Sequence, residues 1–250
     1  MSYAVVIPVY DRPELVKDAI ESVFRQTLPA TEIIVVDDAS PAVLQGVLEP
    51  YLPRIKLIQH MSNRGVSAAR NSGVAASSSQ FIAFLDSDDL WLPSKMQTQI
   101  DFMNSKGLKI SHSDEFWYRR DRWVNQGKNQ TRYGGWIFDN IVDKCRVSSS
   151  SLVVDRDLFN AAGGYDENLQ VCEDYALSMR LALLAEIGYI DDKLFIKRDV
   201  AENSLSRHIE HIESIRLDIL TQLVGSNALT PNQLECANRE IARKMVIVKR

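Results

Sequence analysis

Acidic side chains cluster at three places along the chain. Residues 81–93 read FIAFLDSDDLWLP, an apolar run that ends on Asp86, Asp88 and Asp89. Mutual repulsion among three carboxylates needs an offset, and a cation supplies one. A second pair, Asp37 and Asp38, ends the apolar run 33–36, and a third, Glu173 and Asp174, opens a leucine-rich stretch. Hard divalent ions such as Mg2+ and Mn2+ take oxygen ligands, commonly one or two carboxylates with substrate phosphates in other positions. A lone D-x-D is a weak signal, since acidic clusters often only cap helices. D-S-D-D behind a buried strand, with a second acidic pair ending a neighbouring strand, is more specific. Asp89 itself is assigned the local role of capping the turn before Pro93.

The elements that must position these groups follow from periodicity. Residues 3–7 (YAVVI) form a continuous apolar, β-branched run, the pattern of a central strand buried on both faces. Asp11 stands three residues before Glu14 with Pro13 in the first turn, which predicts a capping-box start. Leu15, Val16, Ala19, Ile20, Val23 and Phe24 then recur at helical spacing. The pattern repeats: a strand at 33–36 with a helix from Ser40-Pro41 toward Tyr51, and a strand at 55–58 with a small-residue helix at 66–76. A strand at 81–85 follows, with a helix opened by Pro93. Four strand-helix alternations predict an α/β fold with a parallel sheet covered by helices. Ligands of such sheets sit beyond the carboxyl ends of the strands. Residues i and i+2 of a strand point the same way, so Asp86 and Asp88 are expected to face one site.

Regularity fades after Gly107. One or two strands are expected within 108–118, a mobile polar loop at 121–135, a strand at 148–154 and a short helix at 155–162 stopped by Gly163-Gly164. Helices are predicted at 173–185, 208–224 and 231–248.

Composition excludes several classes. The 250 residues are 45% hydrophobic and 25% charged, an ordinary soluble mixture with enough apolar material for a sizeable core. A net charge of −4 gives no general basic field, so no nucleic-acid partner is expected. Cys145, Cys172 and Cys236 lie far apart without C-x-x-C spacing, indicating neither a zinc site nor a disulfide framework and suiting a reducing cytosol. The first residues, MSYAVVIPVYDRP, lack a secretory pattern, and Glu186 interrupts the best apolar window at 181–190, so a cytoplasmic location is expected.

In combination, IPVYDRPELVKDAIESVFRQT, IIVVDDAS, NRGVSAARNSGVA, FIAFLDSDDLWLP and CEDYALSMRLA resemble glycosyltransferase family 2, the inverting enzymes of GT-A fold, from Ala4 to about Ala182. The resemblance implies a Rossmann-like mixed sheet flanked by helices. Residues 1–105 would bind a UDP-, GDP- or dTDP-sugar donor, and residues 106–200 would bind a saccharide or lipid-linked acceptor and complete the catalytic centre. Residues 201–250 would form a helical extension. The implied product belongs to polysaccharide, lipopolysaccharide or glycoconjugate synthesis. Carried over residue by residue, Pro8, Val9, Tyr10, Asp11 and Asp38 group around base and ribose, with Tyr10 stacking. Arg70 lies near the pyrophosphate or stabilises the aspartates, and Asp86 with Ser87 contacts ribose or metal-bound water. Asp88 holds Mn2+ or Mg2+, with Asp86 assisting. Inverting transfer is a single displacement that needs one general base and one charge sink. The resemblance gives the base role to Asp174, with Glu173 as the alternative.

Each of these residues has a plainer role available. Glu173 and Asp174 suit the positive end of the helix they open, and Arg70 could be an exposed arginine on a small-residue helix. His208 is a further metal candidate, three residues before His211, but AENSLSRHIEH shows no clear match to the family's late histidine. Trp117, Tyr118, Trp123, Tyr133 and Trp136 could offer faces to a sugar or an apolar tail, or belong to the core. Arg239, Arg243, Lys244, Lys249 and Arg250, interleaved with Ile241, Met245, Ile247 and Val248, could lie peripherally on the inner face of a membrane. The alternative is an ordinary helix packed on the domain. Among rival functions, a nucleotidyltransferase needs a Gly- and Lys/Arg-rich loop after the first strand, and PVYDRP lacks one. A nicotinamide oxidoreductase fails for want of G-x-G-x-x-G there. A non-catalytic sugar-nucleotide-binding protein on the same scaffold is the rival from another class.

Overall fold

The computed structural model describes residues 1–41, 44–127, 130–199 and 211–249. The apolar runs become strands: β1 (Tyr3–Val9), buried along its length, β2 (Glu32–Asp37), β3 (Lys56–Gln59) and β4 (Phe81–Phe84). Between and after them come α1 (Pro13–Phe24), α2 (Leu44–Leu48), α3 (Val66–Ala75), β5 (Leu90–Trp91) and α4 (Lys95–Lys106). The remainder is β6 (Ile110–Arg119), β7 (Arg122–Val124), α5 (Phe138–Ile141), β8 (Val153–Asp155), α6 (Arg156–Ala161), α7 (Glu173–Leu184), β9 (Gly188–Asp199), α8 (Ile212–Gly225) and α9 (Pro231–Val248).

One sheet runs in the order β3-β2-β1-β4-β8-β6-β9-β5, with β7 bonded to β6. β1 to β4 are mutually parallel, so their carboxyl ends share an edge: Val9 pairs with Asp37, and Leu85 N donates to Val6 O at 3.0 Å. β8 runs antiparallel to both β4 and β6. The sheet is therefore mixed, where periodicity alone predicts a parallel one. One face is covered by α1, α2 and α4 over Val5, Ile7, Ile20, Leu44 and Met96. The other face carries α3, α5, α6, α7 and α8 over Val6, Ala69, Phe84, Phe138, Phe159 and Leu220. The small residues of α3 have a packing reason, because a Cβ on Gly73 would collide with Val6 Cγ1.

Several local expectations are corrected. The predicted capping box does not form: Arg12 occupies the N-cap of α1 without a side-chain cap bond, Asp11 sits at φ +51°, and Glu14 pairs with Lys17. The loop expected at 121–135 contains β7, joined to β6 by Arg120 and Asp121 at positive φ. Residues expected as a strand at 148–154 divide into a 3-10 turn, Ser149–Ser151, and β8. β9 was not foreseen.

Candidate active site

The loop after β4 is held by groups far away in sequence. Ser150 is central: its hydroxyl accepts from Asp86 N at 3.1 Å and donates to Asp89 Oδ2 at 2.6 Å, while its carbonyl takes the Trp91 indole N–H at 2.9 Å. Arg198 N donates to Asp89 Oδ1 at 2.9 Å, and Arg198 Nε donates to the Asp88 carbonyl at 2.5 Å. Asp89 is thus a buried bracket between the loop, the serine turn and β9, and it does not cap the turn before Pro93. Burial pushes its carboxyl well above the usual range, reinforced by Asp88 and Asp86.

Asp86 and Asp88 have separate cationic partners. Arg12 Nη1 lies 2.6 Å from Asp88 Oδ2, and Arg70 Nη2 lies 2.6 Å from Asp86 Oδ1. The other arm of Arg70 donates to Glu173 Oε1 at 2.8 Å, and its guanidinium carbon stands 4.8 Å from the Tyr165 ring centroid. Arg70 is 3% exposed, which overturns the picture of a surface arginine. Its guanidinium thus touches a carboxylate of the aspartate loop and the first residue of α7. Burial would raise Asp86, but Arg70 overrides it and holds the carboxyl below its ordinary value. Glu173 goes the other way, raised by burial and by neighbouring Asp174 despite the more distant arm of Arg70.

Glu173 and Asp174 open α7 behind Cys172, which sits at φ +62°. Asp174 is half-buried, accepts from Tyr175 N at 2.7 Å, and lies beside Cys145. Burial, then the Asp174 carboxylate, push the Cys145 thiol well up, which disfavours a thiolate there.

At the β1–β2 edge, Pro8, Val9 and Ser87 are buried, whereas Tyr10 and Asp11 are exposed. Asp38 accepts from Arg64 N at 2.9 Å and Gly65 N at 2.8 Å, and its Oδ1 lies 2.7 Å from His60 Nδ1. Three of about four carboxylate lone pairs are engaged, leaving one for an incoming donor. His60 also reaches Ser72 Oγ at 2.9 Å, tying this corner to α3.

Arg12, His60, Ser150, Lys197 and Arg198 also belong to this site. Among them only Ser150 carries a local sequence signal, the serine run 148–151. Lys197 is exposed to water yet stands among carboxylates. Burial would lower its ammonium, but Glu115, then Asp89, Asp174 and Asp86, hold it well above its ordinary value. Glu115 pairs with Arg132 and accepts from Trp117 Nε1 at 2.8 Å. Trp123 and Trp136 are exposed, and Trp123 lies edge-on to Phe116 and Tyr118.

His208 lies outside the described residues. Among those described, no three His, Cys, Asp or Glu side chains are grouped to hold a metal. The neighbouring carboxylates of Asp86 and Asp88 nevertheless fit an ion shared with substrate phosphates, the usual mode for Mg2+. In the C-terminal helix, Lys244 is buried against Glu213 at 2.5 Å and Glu240 at 3.1 Å, and Arg243 bonds Glu240. Lys244 is therefore engaged inside the protein, whereas Arg243 makes its pair at the surface. No helix among the described residues is long and apolar enough to cross a membrane.

The sequence pattern of glycosyl transferase family 2 matches residues 4–152. An uncharacterized glycosyltransferase of Rickettsia bellii is 30% identical over 203 residues, covering 80% of this chain and 29% of that protein. The Escherichia coli UDP-Glc:alpha-D-GlcNAc-diphosphoundecaprenol beta-1,3-glucosyltransferase WfgD is 30% identical over 164 residues, 63% of this chain and 61% of that protein. The chain spans less than a third of the length of the Rickettsia bellii, Rickettsia felis and Rickettsia conorii relatives it matches. Among solved structures, S. aureus TarS 1-349 in complex with UDP-GlcNAc superposes with a TM-score of 0.79 at 18% identity, over 98% of this chain and 72% of that one. The fold is GT-A, as the sequence resemblance implies. With the family pattern running from β1 to the turn before β8, over more than half of its length, the chain belongs to glycosyl transferase family 2.

Proposed function

We propose that this chain catalyses inverting transfer of a sugar from a nucleoside-diphosphate donor to an acceptor hydroxyl, with residues 1–105 holding the donor and 106–200 the acceptor. The observation that carries the reading is Arg70, whose one guanidinium bonds Asp86 behind β4 and Glu173 at the head of α7. Carboxylates from the donor-side strand edge and from the helix bearing the proposed base are thereby drawn to one centre.

The chemistry needs one proton acceptor and one charge sink. The acceptor oxygen bonds to the anomeric carbon from the face opposite the diphosphate as the bond to the phosphate oxygen breaks, and the hydroxyl proton passes to Asp174. Glu173, fixed by Arg70, holds the first turn of α7 and so the base. Tyr10, exposed at the end of β1, is free to stack on the donor's nucleobase, and the remaining lone pair of Asp38 can accept from a ring N–H of that nucleobase. Asp88 and Asp86 would hold Mg2+ or Mn2+, which when bound neutralises charge on the diphosphate. The cationic side chain of Lys197, kept charged by Glu115, Asp89, Asp174 and Asp86, adds to that sink.

A UDP-hexose donor and a lipid-linked saccharide acceptor are the first candidates, because the name of WfgD states UDP-Glc and a diphosphoundecaprenol acceptor, and TarS was solved with UDP-GlcNAc. Such an acceptor would bring the protein to the inner membrane face. The test is nucleoside diphosphate release from UDP-, GDP- and dTDP-sugars with Mn2+ and an undecaprenyl-diphosphate sugar. Asp174→Asn should lower transfer by roughly 100- to 10,000-fold, the usual span of general-base loss, while donor affinity stays within about threefold. Near-native transfer by this variant would remove Asp174 from the base role.

A further inference from the structure

We propose that Arg12 is the resident counter-ion of Asp88 and gives that carboxylate up only when a divalent cation arrives together with the diphosphate, so that metal and donor bind as a coupled pair. The inference rests on the metal-assisted reading above and adds a role for a residue outside it.

The contrast between two arginines carries the argument. Arg70 is 3% exposed, bonds two carboxylates and lies over Tyr165, so it is part of the framework. The side chain of Arg12 is 25% exposed and that of Asp88 21%, with the pair joined by a single bond at 2.6 Å. Its backbone is well anchored, since Asp11 N–H is held by Ser40 Oγ at 2.9 Å and Pro13 starts α1 directly behind it. The side chain can therefore swing while its root stays at the end of β1.

A cation arriving alone finds both carboxylates already neutralised, Asp86 by Arg70 and Asp88 by Arg12. It must displace Arg12 into water and gains few ligands in return. A cation arriving with a diphosphate brings phosphate oxygens as further ligands, and the released guanidinium finds phosphate oxygens to which it can donate in pairs. Binding of either partner then strengthens the other by the same factor.

The experiment is a Mn2+ titration, read by calorimetry and by the EPR signal of free Mn2+, with and without UDP. Wild type should bind Mn2+ weakly alone and much more tightly with UDP. R12Q should bind Mn2+ alone about 2- to 5-fold more tightly than wild type, the scale set by loss of one partly exposed ion pair, and UDP should enhance it less. R12K, which keeps the charge but not the fork, should move in the same direction by less, and it replaces R12Q if that variant fails to fold. Equal Mn2+ affinity in wild type and variants, with UDP enhancement intact, overturns the role of Arg12 and leaves the metal-assisted reading standing. Absence of Mn2+ binding to every form, with UDP present, overturns both.

Discussion

Arg70 Nη1 donates to Glu173 Oε1 at 2.8 Å, joining two side chains 103 positions apart. The bond spans α3 and α7, and the same guanidinium holds Asp86 at 2.6 Å. Removing one side of a buried ionic group leaves the other charges uncompensated. R70M should therefore cost about 3 kcal/mol, the lower end for one-sided loss of a buried pair, because Asp86 keeps some solvent. R70K should fall between, since one ammonium cannot serve two carboxylates with the geometry of a planar fork. Denaturant midpoints measure this, and a loss below about 0.5 kcal/mol for R70M would place the arginine among ordinary surface pairs.

Lys197 makes a different kind of contribution. It forms no ion pair within 4.0 Å of a carboxylate among the described residues, yet Glu115, Asp89, Asp174 and Asp86 together hold its ammonium charged. A cation not committed to one partner costs little to redirect toward an incoming diphosphate. K197M should lower kcat by about 10- to 100-fold, less than the loss of a fully enclosed oxyanion donor because Lys197 is accessible to water. Thermal stability should barely change, which separates this role from a structural one. K197R should recover most of the rate. Unchanged kcat in K197M would confine the lysine to balancing the surrounding carboxylates.

What the sequence made legible was local. β1, β2 and β4 are buried on both faces, so their apolar runs are uninterrupted and their ends locate Asp38, Asp86 and Asp88. β9 was invisible for the opposite reason: Asp191, Asp192, Lys193, Lys197 and Arg198 break its pattern, because parts of it face water or the acidic cluster. Asp89 looks in sequence like a local cap because Pro93 is a strong nearby turn signal, while the partners that bury it, Ser150 and Arg198, lie 61 and 109 residues away. The same distance problem hid Arg12, which meets Asp88 across 76 residues. Residue types named the chemistry, and the pairing of cations with particular carboxylates needed the fold.

Lys95 offers a test of the core beneath the acidic loop. It is fully buried at the start of α4, with Nζ 2.5 Å from Gln99 Oε1 and 4.2 Å from the centroid of Trp91. No carboxylate pairs with it among the described residues, so burial holds its amine well below the ordinary lysine value. The sign follows from proton binding. The unfolded chain keeps its proton up to about pH 10.4, whereas the folded protein releases it earlier, so stability rises with pH between the two values. The slope is at most about 1.4 kcal/mol per pH unit for one proton. K95M should abolish this rise, measured by urea unfolding at pH 8 and pH 10. Its effect at pH 7 sets relief of the buried amine against a Gln99 carbonyl left without its donor, two effects each worth about 1–3 kcal/mol, so the slope is the decisive quantity. A wild-type slope that survives in K95M would assign the pH dependence to another group and mean that Lys95 keeps its proton in the folded protein as it does in the unfolded chain over that range.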